Sequence, residues 1–493
     1  MTNDTEAAGQ LNWMDTSGVA HLLRAFKLAI HPSKLLLAVC AIALTATLGL
    51  VLDAIWKASD RAIPANELAR YVGLSVVGGE EPGHVGIFRL FGDFQLRCVR
   101  DAVESVRHVR IIGDIDAAQP MAPPFTTVVD HPVRGAFANL LLMGRAVVWM
   151  ITQHSLYAAL FLLGSILIWA LFGGAMCRIA AVQFARDETI GVAEAIRFTK
   201  KSLFGGYFLA PILPLLVCLL IGLVMLLGGL FLWIPWLGDV VGGLLFFLAL
   251  LGGFLIALLL IGLVGGGCMF WPTIAVEESD CFDAVSRSFS YLYGRPLRAI
   301  WYTLIALVYG SFCWLFVRFV IWLALRTTHL FVGIGSGLFF ERPGVPNKLS
   351  ALWSMPVYEN LLELSGTLNR PEGIARGLVG LWVLFVVALL WAFLASFYFS
   401  ASTIVYFLLR RDVDGTDVGE VYLEEEFERP SGTAESDEVS APPSAETEPE
   451  APRQPGDVAL RIIEGSPPAL PPASRAEPGE GATGSDSTEK NTS

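Results

Sequence analysis

Apolar residues in this chain come in runs longer than a globular core requires. Between Ser202 and Gly238 no side chain is charged, and a second uncharged run, Val240 to Val276, follows after the single Asp239. A helix needs about 20 apolar residues to cross a bilayer core. The pattern therefore predicts two spanning helices with a hairpin turn at Asp239. The same reading gives six spans, at 35–55, 155–180, 207–233, 240–273, 298–325 and 375–407. The expected fold class is all-α, a polytopic integral membrane helix bundle. The fourth span is dense in glycine, from Gly242 to Gly267, which predicts close packing at the bundle centre.

Short loops set the orientation. The connection after the second span carries Arg186, Arg197, Lys200 and Lys201, with Arg178 at the helix end, and the one after the fourth carries Arg287, Arg295 and Arg298. The hairpin from Trp233 to Asp239 holds neither Lys nor Arg. Basic short loops stay in the cytoplasm, so residues 181–206, 276–297 and both termini are expected inside. Segments 57–150 and 327–373 are then outside, the first despite its ten basic residues, which ten acidic ones balance. The expected organisation is a cytoplasmic leader (1–34), a first span (35–56), an extracytoplasmic segment (57–150), a five-helix region (151–410) and an acidic tail (411–493).

The two cytoplasmic connections repeat. Glu194 to Gly205 aligns with Asp283 to Gly294 at a constant offset of 89, with acid, Ala, a β-branched residue, a hydroxyl, Leu, an aromatic and Gly in the same order. Each follows a helix ending in acids (Asp187-Glu188, Glu277-Glu278), so the repeat is parallel and not inverted. Each copy reads as a short amphipathic helix at the inner interface, ended by its glycine. Arg411 to Gly415, after the last apolar run, reads as a degenerate third copy. The pattern acid-Ala-x3-[Ser/Thr]-x3-Leu-x-Gly resembles the repeat of bacterial polytopic proteins grouped with the membrane domain of glycerophosphodiester phosphodiesterases, over about residues 155–325. The resemblance implies a membrane fold. It implies no phosphodiesterase activity here, because the soluble barrel domain that carries that chemistry has no counterpart in the chain.

Outside the spans, Val19 to Ile30 predicts an interfacial amphipathic helix ended by Pro32. Segment 86–112 predicts a second amphipathic helix, with Leu96, Val99, Val103 and Val106 on one face and Arg97, Arg100, Arg107 and Arg110 on another. Leu349 to Leu364 predicts a half-buried helix broken near Pro356. From about 428 the chain is rich in Pro, Glu, Ser and Ala, a composition that predicts disorder.

Charge changes the picture only in the tail. From Arg411 onward there are 20 acidic and 6 basic residues, a balance of −14 against −12 for the whole chain, so the membrane part carries +2. The seven cysteines show neither a CxxC pair nor metal-ligand spacing, and no disulfide framework is expected. No cleavable signal peptide is expected either, since the first apolar run begins behind a polar leader.

No nucleotide-binding, zinc-protease or nucleophile-elbow motif occurs. The seven histidines are scattered, His154 being the best placed, and reads as an interfacial anchor. The interiors of the third, fourth and sixth spans hold no charged residue, and Asp53 and Arg318 lie toward span ends, which argues against a carboxylate-coupled transporter. No catalytic, cofactor-binding or metal residues are therefore expected, and no cofactor. The expected partners are the lipid bilayer and other membrane proteins or an ATPase subunit, not nucleic acid. The expected role is assembly or regulation in the cytoplasmic membrane, with a permease or export component as the alternative and a membrane-embedded enzyme last.

Overall fold

Long uncharged runs have one way to satisfy their backbone groups in lipid, which is to close them within helices. The computed structural model follows that logic. It describes residues 18–59, 63–73, 84–107, 135–231, 233–234, 237–337, 349, 352–358, 361, 370–417 and 419–422. Of the tail expected to be disordered from Arg411, residues 411–414 complete the last helix, and everything from 423 onward lies outside the described residues. In chain order the elements are α1 (Val19–Ala29), α2 (Pro32–Ala58), β1 (Ile63–Pro64), α3 (Glu67–Tyr71), β2 (His84–Val85), α4 (Ile87–Arg107), α5 (Ala136–Gln153) and α6 (Ser155–Arg186). Then come α7 (Val192–Lys201), a π-helix (Leu203–Phe208), α8 (Leu213–Phe231), α9 (Leu237–Gly266), a 3-10 turn (Gly267–Met269), α10 (Phe270–Glu277), α11 (Cys281–Gly294), α12 (Pro296–Gly337) and α13 (Arg370–Asp414). The chain is a multi-pass helical membrane protein. The two short strands pair antiparallel, Ile63 opposite Val85.

Among the described residues seven helices are long and apolar enough to cross a membrane, the expected six and α5. The sequence reading placed α5 in the extracytoplasmic segment. One face of α5 is buried (Leu142, Ala146, Trp149, Met150) in a core with Phe94 and Cys98 of α4, while Phe137, Leu140, Val148 and Ile151 stay exposed. On α4 the buried face runs through Ile87, Leu90, Phe94 and Cys98; the expected Val103 is buried too, whereas the expected Leu96 and Val106 are exposed. Phe94 at full burial outweighs the smaller valines in fixing which way the helix turns.

Antiparallel neighbours are tied to one another at both ends of the bundle. Lys34 of α2 meets Gln183 of α6 at one end, and Asp53 meets Tyr157 at the other, so these helices run antiparallel. The helices α12 and α13 also run antiparallel, with Arg298 on Asp412 and Trp314 against Trp391. At 1.5 Å per residue the 42 residues of α12 extend about 63 Å, roughly twice a bilayer core. The expected outer loop 327–373 therefore begins and ends as helix. Between these extensions, Leu349, Trp353 and Leu361 pack on Leu325, Val383 and Leu390. Residues 354–357 are not helical, which is where the break near Pro356 was expected. Arg318 donates to the carbonyl of Tyr358 at 2.8 Å.

The helix α1 is part of the protein core, where the reading placed it at the interface. Leu22, Ala25 and Leu28 join Phe393, Phe397 and Leu408, and Ser396 donates to the carbonyl of Ala29 at 2.7 Å. Pro32 starts α2, where its missing N–H costs nothing. The glycines of the fourth span are not at the bundle centre. Gly262 and Gly265 lie against Phe289 and Leu292 of α11, Gly252 faces Met225 of α8, and the span breaks at Gly267–Met269. The hairpin α8–α9 is exposed along almost all of its apolar length.

Candidate functional site

The repeat is visible in the geometry. The helices α7 and α11 start at Val192 and Cys281, 89 residues apart as the alignment requires. Ala195 and Thr199 are buried in the first, Ala284 and Ser288 in the second. Thr199 donates to the carbonyl of Ala195 at 2.9 Å, and Ser288 to that of Ala284 at 2.7 Å. Before each copy the preceding helix stops on a left-handed residue, Asp187 at φ 56° and Glu278 at φ 53°. Gly415, at φ 70°, ends α13 in the same way, at the place of the degenerate third copy. The copies diverge at their ends: α11 finishes at Gly294, while Gly205 sits inside the π-helix. The indole of Trp271 donates to the carbonyl of Tyr207 there at 2.8 Å. Gly174 lets α6 approach, since a Cβ would come within 2.7 Å of Thr199 and Tyr207.

All three stops lie at one end of the bundle, which is rich in arginine. Its centre is Arg178, almost wholly buried on α6. The guanidinium donates to the carbonyl of Ala275 at 2.8 Å and to that of Tyr422 at 2.7 Å, and lies 4.0 Å over the ring of Phe198. The carbonyls near the end of α10 have no partner within their helix; Arg178 serves one, and the N–H of Tyr422 reaches the carbonyl of Val276 at 3.0 Å. Residues 419–422 thereby form a strap that is fixed to α10.

Around the strap are cross-element ion pairs. Glu277 forms ion pairs with Arg287 and with Arg410 at 3.1 Å, and accepts from the hydroxyl of Tyr406 at 2.6 Å. Asp412 takes Arg298 at 2.8 Å and Tyr302 at 2.9 Å, and Tyr291 bonds Asp414. Lys201 pairs with Glu278 at 2.7 Å. The hydrogen bond that Arg287 donates to Asp283 holds the guanidinium still more firmly in its charged form. Between strap and helices is a cleft of about 560 Å³ lined by Arg186, Glu277, Arg287, Arg410 and Glu420 among others.

In the sequence only Arg178 and Arg186 lie near acids, Asp187 and Glu188, a spacing that reads as helix-end anchoring. The carboxylates that organise this end are Glu277 and Asp412, and no local spacing relates them to Arg410 or Arg298. The pairing was hidden because it crosses the whole chain. Lys34, assigned to the leader, is fully buried between α2, α6 and α13, donating to Gln183 and to Ser400 at 3.2 Å each. Of the other intramembrane hydroxyls, Thr45 bonds its own helix at Ala41.

At the far end, His154 separates α5 from α6 and meets Glu67 at 2.8 Å, whose same oxygen accepts from Trp149 at 3.1 Å. Asp53 accepts from the N–H groups of Phe88 and Arg89 at 2.9 and 3.1 Å and from Tyr157 at 2.8 Å, so it caps α4 from another helix. Among the described residues no group of His, Cys, Asp and Glu is arranged to hold a metal ion. Compared with protein-family models, with curated proteins and with solved structures, the chain gives no match.

Proposed function

We propose that this chain is a cytoplasmic-membrane protein that acts as an assembly or regulatory partner of other membrane components, with no catalysis of its own. In this reading the arginine-rich end and both termini are cytoplasmic, as basic short connections favour. The observation that carries it is the strap. A guanidinium buried in the bundle is committed to the backbone of Tyr422, so the acidic stretch that follows leaves from a fixed point beside α10 and α11. A tethered, charged tail suits contact with other proteins. The exposed hairpin α8–α9 gives a membrane-embedded surface of the same use, and the resemblance of 155–325 to polytopic membrane repeats accords with it.

The test is affinity purification from gently solubilised membranes, comparing the full chain with one ending after Tyr422 and with Lys200→Glu. Lys200 is exposed, whereas Lys201 holds Glu278 and would confuse the result. Loss of a stoichiometric partner in either variant supports the reading. Substrate flux through the purified protein alone in liposomes overturns it.

A second reading, a permease or export component, draws on Lys34. An ionisable side chain fully buried among membrane helices and bonded to neutral partners is an expensive feature. Flux abolished by Lys34→Met would select this reading.

A further inference from the structure

We propose that α5 does not cross the membrane but lies along it, its exposed apolar face set into the lipid surface at the Asp53 end of the bundle. The path of the chain limits the alternatives. The helix α2 begins beside Gln183, near the end of α6, and finishes beside Tyr157, near the start of α6. The segment from Asp53 to Tyr157 therefore leaves the bilayer and returns to it at one end, which allows only an even number of crossings. A crossing by α5 would need a second one to match it. Between Asp53 and Gly135 the sequence holds no uncharged run of about 20 residues to provide it.

Among the described residues α4 is the only other long helix in that segment. It runs beside α5: Gln95 donates to the carbonyl of Met143 at 3.2 Å, and Phe94 and Cys98 share a core with Leu142 and Ala146. It also carries Arg89, Asp93, Arg97, Arg100, Asp101 and Glu104, none of them buried. Charged side chains are costly in hydrocarbon. The charges keep α4 out of the bilayer interior, and α4 keeps α5 out with it.

The two faces of α5 show where it rests. Leu142, Ala146 and Trp149 turn toward the protein, whereas Phe137, Leu140, Val148 and Ile151 form an exposed stripe on the opposite side. Past His154, exposed leucines resume on α6 at Leu156, Leu160 and Leu163, which a spanning helix gives to lipid. Glu67 holds the bend between the two helices, accepting from Trp149 and meeting His154. Arg145 is exposed beside the stripe, as suits a side chain at headgroup level. Projected into water, the stripe would stay uncovered. Laid on the bilayer it is covered by lipid, with the charged face of α4 toward water. This goes beyond the assembly reading and rests neither on the tail nor on which side is the cytoplasm.

The experiment replaces Phe137, Ile151 or Asp93 of the full-length protein, one at a time, by a ketone-bearing amino acid that takes a nitroxide, leaving the native cysteines alone. All three positions are exposed, so the label displaces no packed side chain. Depth in nanodiscs of phosphatidylcholine and phosphatidylglycerol is read from collisions with oxygen and with a water-soluble nickel chelate. Phe137 and Ile151 are 14 residues apart, about 21 Å along the helix. With α5 lying flat, both labels should be about 5–10 Å into the headgroup boundary, at matching depths, and the Asp93 label in water. Depths differing by most of that helix length would show that α5 crosses, and would overturn the proposal. Free access of the nickel chelate to both α5 labels would overturn it as well, since the pair would then project into water. Shielding of both labels from oxygen and nickel alike would put a protein on the stripe in place of lipid, and would also overturn it. Loss of a partner on tail deletion is read separately, so this surface and the assembly reading fail independently.

Discussion

Arg178 and Tyr422 are 244 residues apart in sequence and joined by a 2.7 Å hydrogen bond from guanidinium to backbone carbonyl. The same guanidinium holds Ala275, so one buried charge closes the end of α10 and the exit of the chain together. Arg178→Gln removes the fork and leaves two carbonyls short of a donor. It should destabilise the detergent-solubilised protein by roughly 2–4 kcal/mol in thermal unfolding and expose residues 415–422 to protease. Arg178→Lys keeps the charge but not two well-directed donors, and should lose an intermediate amount. Unchanged melting and protection in both variants would show that the strap is held by other contacts.

Asp187 and Glu278 end their helices with left-handed backbone, a conformation that costs a residue with a Cβ about 1–2 kcal/mol. Glu278 has a return for this in its ion pair with Lys201. Asp187 is exposed, and Asp187→Gly should raise stability by about 0.5–1 kcal/mol, offset in part by the freedom glycine adds to the unfolded chain. Glu278→Gly should gain less, since it gives up the ion pair. A loss of stability in Asp187→Gly would mean that its side chain does more than tolerate the turn.

The runs of apolar residues made the spans legible, because length and hydropathy are local properties. The repeat was legible for a related reason: Ala195 and Ala284, Thr199 and Ser288 keep their spacing along the chain. What stayed hidden depends on which side of an element meets another. Lys34 read as a leader residue, though it lies within a helix whose neighbours bury it. The fourth span read as central because glycines permit close packing, yet it is Phe289 and Leu292 of α11 that fill those glycine faces. The site at the arginine-rich end joins residues 178, 277, 410 and 422, and no sequence window contains them together.

Orientation can be tested through Cys281, at the start of α11 outside the spans. Burial first, and then the carboxylate of Asp280, raise its thiol pKa above the ordinary 9.0. The thiolate is the reactive form, so alkylation should be slow at neutral pH and keep accelerating as pH rises past that value. Inside-out vesicles should label and intact cells should not. Asp280→Asn should speed labelling modestly, because desolvation remains and asparagine can still cap α11 as Asp280 does at the N–H of Asp283. Labelling of Cys281 from outside intact cells would reverse the assigned topology. Cys98, in the segment expected outside, is fully buried beneath α5 and should resist reagent from either side.

Asp53 shows how the far end depends on a residue that sequence placed merely near a span end. Its carboxylate accepts two backbone N–H groups at the start of α4 and the hydroxyl of Tyr157, and carries negative charge to a helix N-terminus where it is favoured. Gly86 passes so close to this carboxylate that a Cβ there would collide with it. Gly86→Ala and Asp53→Ala should therefore injure the same junction, each costing roughly 1–3 kcal/mol. Because they act on one contact, their double variant should cost clearly less than the two single losses combined. Tyr157→Phe should cost about 1 kcal/mol, by removing one of the three donors. Thermal unfolding of the four variants measures the coupling. Additive losses would show that Gly86 and Asp53 support the α4 junction independently.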